Sequence, residues 1–257
     1  MIQIENLHKR FGTVHAVAGV TFTASDGAVT GLLGPNGAGK TTTLRMLYTL
    51  MRPDEGRILV DGLDAVTDPQ GARLRLGVLP DQSGLYPRLT AREHIRYFGE
   101  LQGITGADLA NRTDHLLTML DMTTIADRRV AGFSHGERTK TALARAIVHN
   151  PKNVLLDEPT NGLDVMSTRA VREIIRRLKG EGHTVLFSSH VMQEVSALCD
   201  TIIVIARGKI VAAGSPDDLR QQTGQQNLED AFVALSGLEA GLATDPRSAT
   251  AQTGAAS

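Results

Sequence analysis

Three glycines, a lysine and a threonine stand in the spacing GxxxxGK(S/T) within Gly34-Pro35-Asn36-Gly37-Ala38-Gly39-Lys40-Thr41. The chemistry of this pattern is phosphate binding. Glycines let backbone N–H groups close around phosphate oxygens, a following helix N-terminus adds about half a positive charge, Lys40 neutralises the β and γ phosphates, and Thr41 is placed to ligate magnesium. Thr42 continues the first turn beside them. A glycine-rich turn arises by chance too, but here it lies between a buried strand pattern, Val29 to Leu33, and a helix pattern from Thr41 to about Tyr48. That context is the one the mechanism needs.

A second acidic constellation matches the first. Val154-Leu155-Leu156-Asp157-Glu158 is a buried-strand pattern ending in two carboxylates. Asp157 is suited to hold magnesium through water, and Glu158 to orient and deprotonate an attacking water. An acidic turn alone would read as a solvated surface feature; beside a phosphate loop it reads as the other half of a nucleotide site.

These residues need a scaffold, and the rest of the chain supplies its pattern. Ile2-Gln3-Ile4-Glu5 and Val20-Thr21-Phe22-Thr23 alternate apolar and polar residues, as half-buried antiparallel strands do. Val29–Leu33, Asn153–Asp157 and Thr184–Ser188 are continuous apolar runs of the kind buried in a parallel sheet. Thr201 to Ile205 adds another strand, and Gly208 is read as the turn of a hairpin into Lys209-Ile210-Val211. From about Gly84 to Asn150 the pattern is helical. Thr90 and Glu93 form a capping-box pair, Ile95, Phe98 and Leu101 mark one apolar face, Leu109, Leu116, Leu117 and Leu120 mark a second helix, and Arg138 to Val148 a third. A further helix places Val171, Ile174, Ile175 and Leu178 on one face.

The linear order of these features resembles the ABC (ATP-binding cassette) ATPases. Asp157-Glu158-Pro159-Thr160-Asn161-Gly162-Leu163-Asp164 looks like the Walker B and D-loop block, and Phe133-Ser134-His135-Gly136-Glu137 lies where that family carries its LSGGQ signature. The resemblance extends from Met1 to about Gly214. It implies an α/β P-loop NTPase fold: a RecA-like mixed sheet core with an antiparallel β subdomain and an inserted helical subdomain. The expected organisation is one ATPase domain over 1–236, with the core at about 1–83 and 151–213, the helical subdomain at 84–150 and an extension at 214–236. Residues 237–257, rich in Ala, Thr, Ser and Gly, are expected to be a disordered tail.

The resemblance also assigns roles. Glu158, His190 and Lys40 carry catalysis, His190 as the switch histidine at the γ-phosphate. Phe11 stacks on adenine. Residues 34–42 hold the phosphates, and Ser134, Gly136 and Glu137 complete the site of a twin subunit. Two departures stand out. After Gly77-Val78-Leu79-Pro80 the family places a glutamine; here Asp81 comes first and Gln82 second, so either can contact nucleotide, and Gln82 is the expected magnesium ligand of the two. The signature has His135 in place of glycine and Glu137 in place of glutamine.

ATP and Mg2+ are thus the implied cofactors, a homodimer of ATPase subunits and an integral membrane permease the implied partners. Net charge is -1, so no basic field advertises nucleic acid, and no apolar run approaches the roughly 18 residues of a membrane span. A lone cysteine, Cys199, and an opening segment without a secretory pattern give the expectation of a cytoplasmic protein, peripheral on the inner face of the cell membrane. Gly84 to Glu93 and Gly162 to Met166 are most similar to ATPases of sodium-efflux and drug-efflux exporters, which makes sodium a candidate cargo beside drugs, lipids or other small molecules. A soluble ABC protein acting on ribosomes or DNA is the remaining alternative; tandem cassettes and coiled-coil arms, its usual marks, are missing from this sequence.

Overall fold

The computed structural model describes residues 1–82 and 84–236; the expectation of a disordered tail lies outside them. Two antiparallel strands open the chain, β1 (Ile2–Phe11) and β2 (Val14–Ala24), followed by the short β3 (Val29–Leu33) and helix α1 (Lys40–Leu47). Strands β4 (Glu55–Val60) and β5 (Leu63–Asp64), helix α2 (Pro69–Leu74) and strand β6 (Leu76–Leu79) come next. The helical lobe then holds α3 (Ala91–Leu101), α4 (Gly106–Met119) and α5 (His135–Ile147). The chain returns through β7 (Asn153–Asp157), α6 (Val165–Gly180), β8 (Thr184–Ser189), α7 (Met192–Leu198), β9 (Thr201–Ala206) and β10 (Lys209–Gly214), and continues into α8 (Pro216–Thr223) and α9 (Leu228–Ser236).

Two sheets result. One is antiparallel in the order β2-β1-β4-β5; the other runs β10-β9-β3-β8-β7-β6, parallel except for the terminal β9–β10 hairpin. The apolar runs of the sequence explain why the second sheet is central: every residue of β3, β7 and β8 is buried. Successive side chains point to opposite faces. Val154 and Leu156, with Val185 and Phe187, join the lobe and α6 in one core, while Leu155 and Leu186 join α1 and the antiparallel sheet in the other. Burial on both faces removes the alternation seen in β1 and β2 and fixes the register of all three strands.

Within the lobe, the Thr90–Glu93 capping box forms as expected, and Leu109, Leu116, Leu117 and Leu120 are buried. Two expectations are corrected. Helix α5 starts at His135 rather than Arg138, because Ser134 and Glu137 make a reciprocal capping box that closes the turn three residues earlier. Leu101, expected to share the inner face of α3 with Ile95, is 63% exposed; the helix ends there, and its inward row continues instead through Gly99, which packs against Leu109. Among the described residues, no helix is long and apolar enough to cross a membrane.

The central sheet tolerates little extra volume. A Cβ added at Gly31 of β3 would lie 2.5 Å from the Sγ of Cys199, which ends α7, and 3.0 Å from Val195 within that helix. Gly31→Ala is therefore expected to destabilise the chain by about 1–3 kcal/mol, the usual cost of overpacking. The cost should shrink in a Cys199→Ala background, where the clashing sulfur is gone. Urea unfolding of the two single variants and the double variant checks this; strictly additive changes would show that the thiol is not the obstacle.

Candidate functional site

The phosphate loop crosses from the end of β3 to the start of α1. Gly39, the residue before the helix, has φ of 108°, and a Cβ there would sit 2.4 Å from the Ala16 carbonyl oxygen. Only glycine meets both demands. The loop is braced from behind by the β9–β10 turn, where the Gly208 N–H donates to the Ala38 carbonyl at 2.9 Å and the Gly208 carbonyl accepts from the Ala18 N–H at 2.8 Å. A cavity of about 350 Å³ opens over it, lined by residues 35–42 together with Ala16, Asp81, Glu158, Asn161 and His190.

Parallel pairing of β7 with β8 puts Asp157 directly opposite Ser188. The Ser188 hydroxyl donates to Asp157 Oδ1 at 2.6 Å and accepts the Glu158 N–H at 2.9 Å. Thr41 Oγ1 donates to the same Oδ1 at 3.2 Å, which joins the two motifs of the sequence. Burial pushes the Asp157 carboxyl above the ordinary carboxylate range; the hydroxyl donors of Ser188 and Thr41 oppose that, and the charges of Asp81 and Glu158 add to it. Its second oxygen, Oδ2, is buried without a hydrogen-bond partner.

Glu158 sits at the strand end with φ of 50°, a left-handed conformation that costs a non-glycine residue on the order of 1 kcal/mol. Its side chain is clasped from two sides. Lys40 Nζ lies 3.2 Å from Oε1 and also donates to the Gly34 carbonyl at 2.7 Å, while His190 Nδ1 donates to Oε2 at 2.8 Å. The Lys40 ammonium, only 5% exposed, thus has its charge met inside the site. The structure thus brings together Lys40, Glu158 and His190, the three residues expected to carry catalysis.

The other expected residues divide. Asp81 lines the phosphate cavity and also a neighbouring cavity of about 530 Å³ beneath the lobe. Gln82, expected at the metal, lines that second cavity and an outer groove but not the phosphate cavity. The chain bends after Pro80, and of the two residues in that bend only Asp81 reaches the phosphate cavity. Ser134 and Gly136 are at the start of α5, away from this chain's own phosphate loop, since neither lines its cavity. Glu137 is committed within the chain: its Oε2 accepts the Ser134 N–H at 2.7 Å and its Oε1 faces Arg128 at 3.3 Å. Phe11 is 47% exposed at the end of β1 and does not line the phosphate cavity.

Sequence reasoning missed Ser188 and Glu194. Buried Glu194 accepts from Thr160 and, at 3.2 Å, from the Ser189 hydroxyl, with Arg172 3.7 Å away, and so anchors the turn that follows Glu158. The triplet Ser188-Ser189-His190 after an apolar strand was the available signal for Ser188; nothing local distinguishes Glu194 from a surface acid of α7.

The donor set fits magnesium. A hard divalent cation takes a hydroxyl and one or two carboxylates, leaving other positions to water and phosphate. Thr41 Oγ1 and the unpartnered Asp157 Oδ2 are such donors, with Asp81 on the same cavity. No cluster of three or more His, Cys, Asp or Glu side chains of metal-binding geometry occurs among the described residues.

Comparison with known proteins agrees with this geometry. Residues 17–161 match the family model described as ABC transporter. The chain is 43% identical over 239 residues to the ABC transporter ATP-binding protein NatA of Bacillus subtilis, covering 91% of this chain and 97% of that one. It is 40% identical over 218 residues to the Nod factor export ATP-binding protein I of Burkholderia lata, covering 85% and 72%. The dimeric structure of MJ0796, a bacterial ABC transporter cassette, superposes with a TM-score of 0.77 at 25% identity, covering 84% of this chain and 98% of that one.

Asp157→Asn is expected to raise the melting temperature of the nucleotide-free chain, because the burial cost of a charge disappears while the amide oxygen still accepts from Ser188 and Thr41. The additional stabilisation that Mg2+ gives on top of ATP should be smaller in the variant than in the wild type. Thermal unfolding with ATP alone and with ATP plus Mg2+ reads both effects; an undiminished magnesium increment would remove Asp157 from the metal site.

Proposed function

The chain belongs to the ABC transporter family as an ATP-binding, ATP-hydrolysing subunit, and on that premise we propose how its residues carry the work. The observation that supports this most is the convergence of Lys40, Asp157, Glu158 and His190 over the phosphate loop. The loop amides and Lys40 bind the β and γ phosphates; Thr41 and Asp157 would hold Mg2+, and Asp81, on the same cavity wall, would be available to it. Mg2+ neutralises charge developing on the phosphates when it is bound. Phosphate binding must draw Lys40 from Glu158, and the freed carboxylate then orients and deprotonates water, with His190 holding its other oxygen in place. Phe11 offers a stacking face for the base from the end of β1. Residues 1–236 act as one ATPase domain.

Ser134 and Gly136 lie away from this chain's phosphate loop, on a capped helix end that presents backbone donors. Two copies closing head to tail would bring that end onto each other's γ-phosphate. The partner that moves solute is an integral membrane permease, and the subunit sits peripherally on the inner face of the cell membrane. Its docking surface is the apolar groove between the lobe and the core, lined by Tyr48, exposed Leu50, Val78 and Phe98 together with Gln82 and Arg145. Export is the direction; sodium is the finer reading of the cargo, supported by the similarity of residues 84–93 and 162–166 to sodium-efflux ATPases.

Glu158→Gln is expected to slow hydrolysis by roughly 10² to 10⁴, the contribution of a positioned general base. ATP binding should be equal or tighter, since the amide no longer pairs with Lys40. Size-exclusion chromatography should find the variant dimeric with ATP and monomeric with ADP or without nucleotide. A variant that binds ATP and never dimerises would overturn the head-to-tail reading, and one that hydrolyses at the wild-type rate would remove Glu158 from its role.

A further inference from the structure

The imidazole of His135 does not point at this chain's phosphate loop. Its Nε2 lies 3.0 Å from the carbonyl oxygen of Asn161, in the turn that follows Glu158. A carbonyl only accepts, so Nε2 carries the proton and His135 is the donor. That turn is short and internally tied: the Asn161 N–H donates to the Glu158 carbonyl at 3.1 Å, and the Leu163 N–H to the Thr160 carbonyl at 3.1 Å. Asn161 lines both cavities, in each case with Glu158.

A second contact lies on the far side of the same turn. A Cβ at Gly136 would sit 2.4 Å from Ser167 Oγ, and that hydroxyl is itself held by Asp164 at 3.0 Å. The start of α5 therefore presses on the start of α6 while His135 reaches across to Asn161. Between these two contacts the signature and the turn behind Glu158 form one body. A glycine at position 135, the residue the family pattern has there, would supply the close approach without the hydrogen bond.

We propose that His135 is a positioning residue that latches the signature to the Asn161 turn and so links the two nucleotide sites of a closed pair. The linkage rests on the head-to-tail reading above: the anion on Ser134 and Gly136 then belongs to the partner's nucleotide, whereas the turn adjoins this chain's own Glu158. Displacement of the signature by one γ-phosphate is carried by the imidazole to the carbonyl of Asn161 and, through its N–H, to the backbone of Glu158. This differs from a direct contact of His135 with the partner's γ-phosphate, which needs the ring turned away from Asn161.

The variants that separate these accounts are His135→Gln, whose amide Nε2 reaches as far as the imidazole Nε2 and still donates, and His135→Leu and His135→Gly, which do not. In the nucleotide-free full-length chain, hydrogen exchange at Asn161 and Leu163 should be faster in the Leu and Gly variants and near wild type in the Gln variant. ATPase activity against ATP concentration should be cooperative in wild type and the Gln variant. In the Leu and Gly variants the Hill coefficient should fall to one and half-saturating ATP should rise about fivefold, the low end of coupling between sites. Unchanged exchange in the Leu and Gly variants would overturn the latch. Altered exchange with unchanged cooperativity would overturn the linkage. Cooperativity lost in the Gln variant as well would favour the direct phosphate contact. A Glu158→Gln chain with His135 intact that stays monomeric with ATP would overturn the paired reading, and with it the linkage, while the exchange result still judges the latch.

Discussion

A single hydroxyl, that of Ser188, holds the end of β7 in the shape on which the site depends. Asp157 ends a strand buried on both faces, and its carboxylate would be costly there without a donor. Glu158 bends out of the strand into a left-handed conformation that its neighbours must enforce. Ser188 serves both needs by donating to Asp157 and accepting from the Glu158 N–H. It can do so because β7 and β8 pair in parallel with Asp157 opposite Ser188, and that register is set by the apolar side chains that fill both cores. Packing far from any ligand thus decides where the two carboxylates point.

Charge balance inside the cavity follows from the same arrangement. Lys40 at the start of α1 is almost wholly buried and would destabilise the loop if unpaired. Glu158 meets it at 3.2 Å, and the Gly34 and Pro35 carbonyls accept from it at 2.7 and 3.3 Å. A triphosphate is a stronger counter-charge than one carboxylate. In the proposed function the exchange of one for the other lets the intended base and the phosphate-binding lysine share so small a volume without trapping each other.

The sequence makes the chemistry legible where a motif is contiguous. The phosphate loop, the Asp157–Glu158 pair, the two classes of strand and the Thr90–Glu93 cap all depend on local spacing, and the structure has each of them. It is less informative where contacts join distant segments. Ser188 becomes meaningful only once β8 lies beside β7, and Glu194 only once α7 lies under the turn after Glu158. Asp81 and Gln82 are neighbours whose assignment turns on which of them the bend after Pro80 brings to the phosphate cavity, a matter of chain path and not of residue type. Leu101 fits a helical period that the chain abandons one residue later. His135 reads as a departure from a signature until its partner carbonyl, 26 residues on, is in view.

Cys199 illustrates how tightly the central layer is closed. It is the sole cysteine of the chain, it packs against Gly31 under β3, and burial pushes its thiol well above the ordinary range, with Asp200 adding to the shift. The thiolate is the form that attacks an alkylating reagent, and burial disfavours it in this setting. Modification must therefore wait for the layer between β3 and α7 to part. The rate at which a small iodoacetamide labels the native chain is a clock for that opening, undisturbed by any second thiol, and a cysteine placed on the surface would react as though it were alone.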